Sequence, residues 1–160
     1  MAEVLALPEG SKAERYAALL PQLASLLAGE RDLIACMANA ASVLATTFGW
    51  HWVGFYRVAG DELILGPFAG PLACTRIAFG RGVCGSAWAQ NATQRVSDVD
   101  AFPGHIACSS LSRSEIVVPV RNAAGEVIAV LDVDASELAA FDEIDQQYLE
   151  QLAGLFSNKE

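Results

Sequence analysis

EIVVPV (Glu115–Val120), RNAAGE (Arg121–Glu126) and VIAVLDVD (Val127–Asp134) form the stretch that decides the fold. Its two flanks are dense in β-branched and apolar residues, and Asn122 to Gly125 carries turn chemistry, so the stretch predicts a β-hairpin. Upstream, WVGFY (Trp52–Tyr56) and LIL (Leu63–Leu65) lie on either side of Ala59-Gly60-Asp61 and predict a second hairpin. Further out the apolar period becomes helical. Ser11 and Glu14 have capping-box spacing, and Tyr16, Leu19, Leu20, Leu23, Leu26 and Leu27 follow on one face. Leu33, Ile34, Met37, Ala40, Ala41 and Leu44 begin a second helix after Gly29, and Ile144, Tyr148, Leu149, Leu152 and Leu155 mark a closing one. This order predicts an α+β fold, an antiparallel sheet with its helices packed mainly on one face. The expected layout is one domain over residues 1–160, with helices at about 11–47, sheet and loops at about 51–134, and the closing helix at about 142–156.

Ten basic residues stand against 19 acidic ones, a formal net charge of −9. Such a field repels phosphate backbones, so nucleic acid is not an expected partner. No apolar run is long enough to span a bilayer, and the N-terminal residues lack the pattern of an export signal, which predicts a cytoplasmic protein without a membrane partner. In a reducing compartment the four cysteines need an explanation other than disulfide staples.

Cys74, Cys84 and Cys108 lie in the Gly-, Pro- and Ser-rich middle of the chain, whereas Cys36 sits between helical apolar positions and reads as packing. Gly80-Arg81-Gly82-Val83-Cys84-Gly85 matches G-x-G-x-x-G, but only Ile77-Ala78-Phe79 precede it, so the dinucleotide context is missing. The segment instead predicts a tight turn into a short helix, Val83 to Gln90. Cys84 falls in its first turn, where free amides depress a thiol pKa and attract an anion. Each cysteine alone can be an apolar packing residue. Zinc held by Cys74, Cys84, His105 and Cys108 is a rival, but no C-x-x-C knuckle supports it, and no metal is expected. The remaining reading is thiol redox chemistry, in which one thiolate attacks and a second resolves the sulfenic acid.

Strand periodicity places other chemistry nearby. Asp132 and Asp134 share a strand face, and closing the hairpin at Asn122–Gly125 sets Glu115 opposite Leu131 to Val133, so three acids gather at one end of the sheet. They are either solvated strand-end charges or a pocket in which crowding raises a carboxyl pKa. Trp52 and Tyr56 share a face across Gly54, leaving Val53 and Phe55 for the opposite one.

WVGFYRV (Trp52–Val58), GPFAGPLACTRIAFGRGVCGSAWAQN (Gly66–Asn91), DAFPGHIACSSLSRSEIVVPV (Asp100–Val120) and VIAVLDVDA (Val127–Ala135) together resemble the free methionine-(R)-sulfoxide reductases, small enzymes built on a GAF domain. The resemblance implies thioredoxin-dependent reduction of free L-methionine (R)-S-oxide through a sulfenic acid and a disulfide, with dithiothreitol able to replace thioredoxin and no bound cofactor. It implies that Cys108 attacks, that Cys74 is its usual disulfide partner, and that Cys84 is the third family cysteine, with the sharing of the resolving work left open. Glu115, Asp132 and Asp134 match the family's pocket acids, suited to an ammonium group and to protonating a sulfoxide oxygen, and Trp52 with Tyr56 would flank the methyl-sulfinyl group. Ser109 stands where the family commonly has Asp, and His51 where Asn is frequent. The alternative is a GAF-type small-ligand sensor without catalysis, a module usually found within longer signalling chains. A homodimer stays open.

Overall fold

The computed structural model describes residues 4–6, 9–106 and 111–160. In chain order the elements are α1 (Lys12–Ala28), α2 (Leu33–Phe48), β1 (Trp52–Ala59), β2 (Glu62–Ala69), β3 (Arg76–Ala78), α3 (Gly82–Gln90), β4 (Gln94–Val96), β5 (Ser114–Arg121), β6 (Val127–Ala135) and α4 (Glu143–Gly154), with a 3₁₀ turn at Val99–Ala101. The strands form one antiparallel sheet in the order β3-β2-β1-β6-β5-β4. Both expected hairpins are present, and β2 runs well beyond the expected Leu63–Leu65.

Helix ends follow local chemistry. Ser11 and Glu14 close the capping box of α1, and Asp32 accepts from the Ala35 amide to start α2. Asp142 and Asp145 form a second capping box at α4. Asp145 does more than cap. Fully buried, it accepts from the Tyr16 hydroxyl at 2.7 Å and from Lys12 Nζ at 2.6 Å, tying α1 to α4.

The sheet has two differently used faces. Val53 and Phe55 of β1, Ile116, Val118 and Val120 of β5, and Ala129, Leu131 and Val133 of β6 pack against α1, α2 and α4 in the main core. Burying a side chain such as Phe55 or Leu131 there contributes roughly 1.5–3 kcal/mol. Cys36 lies in the same core at 1% exposure, as its helical position predicted. The alternate residues Trp52, Tyr56, Val117 and Val130 point the other way and meet α3 through Val83, Cys84 and Ala87. Among the described residues three helices therefore cover one face, and α3 is the helix on the other, over which the candidate site is built.

The register of the second hairpin differs from expectation by a meaningful step. Arg121 pairs with Val127 but Val120 pairs with Ala129, so an extra residue in β6 shifts the ladder. Glu115 thereby sits opposite Asp134, beyond the predicted Leu131–Val133, while Val117 sits opposite Asp132. A partner at Val133 would have turned Glu115 toward the helices; the bulge turns it toward α3 with the two aspartates.

Candidate active site

Three central strands supply the floor of the pocket. Trp52 pairs with Asp134, Gly54 with Asp132, and Glu115 with Asp134 across neighbouring strands, so aromatic rings and carboxylates face the same side. Gly54 is required by this arrangement. A Cβ there would lie 2.3 Å from Phe68 Cβ and 2.7 Å from the Trp52 ring, so only a glycine lets the indole lie flat across β1. The ring stacks on Phe68 at 5.3 Å and on Tyr56 at 6.0 Å.

Both aromatic residues also hold the loop that carries Cys74. Trp52 Nε1 donates to the Pro71 carbonyl at 3.1 Å, and the Tyr56 hydroxyl donates to the Cys74 carbonyl at 2.8 Å. Burial, followed by the charges of Asp132, Cys84 and the other acids, drives the Tyr56 pKa upward, so this hydroxyl stays a proton-bearing clamp. Leu72, Ala73, Ile77, His105, Ile106 and Ser112 complete the walls, and Arg81, Gly82 and Val83 bring the start of α3 to the rim. Among the described residues no side chain caps that helix, so its first amides can meet an anion. Sequence reasoning missed Arg81, Ile106 and Ser112, whose neighbours in the glycine-rich and His105 segments were the available signal.

The acids are buried together. Glu115 is 5% and Asp132 6% exposed, while Asp134 still touches solvent at the rim. Burial and then the Asp134 charge push the Glu115 carboxyl up to about 8. Asp132 rises well above the usual carboxylate range through burial, then the Glu115 charge, and Asp134 rises through burial and the Asp132 charge. Asp132 is the centre of the cluster. Side-chain contacts from Glu115, Asp134 and Cys84 converge on it, yet among the described residues no donor reaches its buried Oδ1. His105 Nε2 stands 3.6 Å from Glu115 Oε2, and burial lowers the imidazole pKa, so this is a neutral contact near pH 7.

Cys84 decides between its two readings. It lies in the first turn of α3, but on the buried side at 4% exposure, and its thiol pKa is raised well above normal by burial and then by Asp132 and Glu115. A helix terminus contributes about 0.3–1 kcal/mol, against burial shifts of up to about 3–5 pH units. Burial wins, and Cys84 is held as a thiol. Cys84 and Cys36 are free, whereas Cys74 is disulfide-bonded and so offers no thiolate to a metal in this state. Cys108, with Ser109 beside it, lies outside the described residues.

The structure thus brings Trp52, Tyr56, Cys84, Glu115, Asp132 and Asp134 to one pocket, with the Cys74 loop fastened over it. Among the described residues, no helix is long and apolar enough to cross a membrane.

Comparison with known proteins agrees with this layout. A family model described as GAF domain matches residues 30–158. GAF domain-containing protein A of Dictyostelium discoideum is 55% identical over 159 residues, covering 99% of this chain and all of that protein. The free methionine-R-sulfoxide reductase of Escherichia coli is 46% identical over 145 residues, covering 89% of this chain and 86% of its own. The crystal structure of the free methionine-R-sulfoxide reductase of Neisseria meningitidis in complex with its substrate is 56% identical, superimposes with a TM-score of 0.93, and covers 96% of this chain and 93% of that one. With that identity sustained over nearly the whole chain, and with the fold and acid–thiol pocket described above, the chain belongs to the GAF-domain family of free methionine-R-sulfoxide reductases.

Proposed function

We propose that this protein reduces free L-methionine (R)-S-oxide to methionine, with Cys108 as nucleophile, Cys74 as resolving partner and thioredoxin as the reductant. The observation that carries the reading is the buried carboxyl cluster beside a disulfide-bonded Cys74. A sulfoxide surrenders its oxygen only once that oxygen is protonated, and Glu115, held protonated near neutrality, can supply the proton.

The electrons and atoms balance without a bound cofactor. The Cys108 thiolate attacks the sulfoxide sulfur while Glu115 protonates its oxygen. The sulfur–sulfur bond so formed breaks as the hydroxyl shifts from the substrate sulfur to the Cys108 sulfur, which releases methionine with its sulfur reduced and leaves Cys108 as a sulfenic acid. The Cys74 thiol displaces that oxygen as water, forming the disulfide, and a thioredoxin dithiol reduces it. Cys84, buried and protonated, is poorly suited to attack, which favours Cys74 for the first resolving step.

Substrate recognition follows from the same walls. Asp132 and Asp134 would hold the ammonium group, and the free amides at the start of α3 its carboxylate. Trp52 and Tyr56 offer ring faces to the methyl-sulfinyl group. Grasping both charged ends of an amino acid excludes a residue within a peptide. The whole chain would act as one GAF unit, α1 being fastened to α4 through Asp145, in a cytoplasm that supplies reduced thioredoxin. A thioredoxin-coupled assay on resolved epimers tests the reading. Turnover of the free R-epimer, with little on the S-epimer or on a peptide sulfoxide, is expected; no turnover on either free epimer refutes it.

A further inference from the structure

Cys84, Glu115 and Asp132 come from three different elements, α3, β5 and β6, yet one donor atom from each lies within 4.8 Å of the other two. All are buried and line the same pocket. A second observation concerns one of these side chains: among the described residues no donor reaches the buried Asp132 Oδ1, which leaves that oxygen open to a cation. We propose that these three side chains form a binding site for a thiophilic divalent ion of the zinc class, whose occupation shuts the pocket to an amino acid's ammonium group. The metal site itself stands independently of the proposed reaction, whereas closure of the pocket to an ammonium group rests on that reading.

The geometry fits the ion's demands. In a tetrahedral zinc complex, with bonds of about 2.0–2.3 Å, neighbouring donors lie about 3.5 Å apart. Donors already within 4.8 Å reach that spacing by closing in about 1 Å or a little more, within the range of side-chain rotation. One thiolate with two carboxylates leaves a fourth position for water, the pattern of an open rather than a structural site. Magnesium and calcium prefer six or more oxygens, so this donor set disfavours them. His105, 3.6 Å from Glu115 Oε2, is placed to orient that carboxylate from behind.

The oxidised protein isolates the site. There Cys36 and Cys84 are free thiols, and Cys36 lies in the helical core across the sheet. Titration of the oxidised full-length protein with cobalt(II) is expected to give a thiolate-to-cobalt charge-transfer band that saturates at one equivalent, is removed by zinc and ignores magnesium. Cys84→Ser should abolish the band and Cys36→Ser should keep it. Asp132→Asn, which leaves the thiol intact, should weaken binding more than His105→Ala, for which about 10–100-fold is expected. Absence of the band in the wild-type protein, its survival in Cys84→Ser, or unchanged affinity in Asp132→Asn overturns the proposal. None of these readings depends on turnover, so failure here is distinct from failure of the assigned activity. In turnover assays zinc should raise KM for the free sulfoxide with kcat unchanged, whereas a fall in kcat alone would contradict closure of the pocket.

Discussion

Converting Glu115 to Gln keeps the shape of the side chain and removes its titrating proton, so it separates charge from packing in the acid cluster. The Glu115 pKa stands at about 8 in the fold against an ordinary 4.5. At about 1.4 kcal/mol per pH unit, holding this group as an anion in its burial site costs about 5 kcal/mol. Below about pH 4.5 the carboxyl is protonated in both folded and unfolded chains, and no penalty arises. Between about 4.5 and about 8 the unfolded chain releases the proton while the folded chain retains it, so stability falls as pH rises, and the loss is complete above the folded pKa. That loss is comparable to the whole stability of many domains, roughly 5–15 kcal/mol. Urea unfolding across about pH 5 to about pH 9 should show wild type losing stability steadily and Glu115→Gln losing less, since Asp132 and Asp134 remain, so that the two curves diverge with pH. Single-turnover methionine release should fall above about pH 8 in wild type as the acid ionises. In Glu115→Gln it should be about 10²–10⁴-fold slower and lack that limb. Parallel stability curves together with an unchanged rate profile would refute the claim that Glu115 is a buried, protonated donor.

Other perturbations test separate parts of the account. Cys108→Ser should abolish turnover and Cys36→Ser should leave it near wild type, while Cys74→Ser should release about one methionine per chain and then fail to recycle with thioredoxin. Gly54→Ala sets a methyl against the Trp52 ring and Phe68. Overpacking of this kind should lower stability by about 1–3 kcal/mol in urea titration and raise KM as the indole tilts. Asp145→Ala leaves the buried Tyr16 hydroxyl and Lys12 without their shared acceptor. A loss of about 1.5–3 kcal/mol is expected from chemical unfolding, with Tyr16→Phe costing about 1 kcal/mol.

Much of the frame was legible because its signals are local. The Ser11–Glu14 box, the helical spacing of Tyr16, Leu19, Leu23 and Leu27, and the alternation that sends Val53 and Phe55 inward and Trp52 and Tyr56 outward all reappear in the fold. The hairpin register did not survive intact, since the bulge between Val120 and Arg121 has no residue signature and moves Glu115 by one partner. The choice between the two readings of the Cys84 thiol is not legible in the sequence for a related reason. Its place at a helix start can be read from neighbours in sequence, but its burial against Asp132 and Glu115 depends on three elements meeting. The bonds from Trp52 to Pro71 and from Tyr56 to Cys74 span 18 or 19 residues and end on backbone carbonyls, which no side-chain pattern announces.

The central claim, reduction of a free sulfoxide by a cysteine pair at this pocket, is tested most directly by one stoichiometric reaction. Fully reduced protein is mixed with one equivalent of free methionine-(R)-sulfoxide, methionine is counted, and the new disulfide is located by peptide mapping. The account predicts one methionine per chain and a Cys74–Cys108 bond, with Cys36 and Cys84 still free. Release of no methionine, or release with Cys108 left as a free thiol, would contradict it.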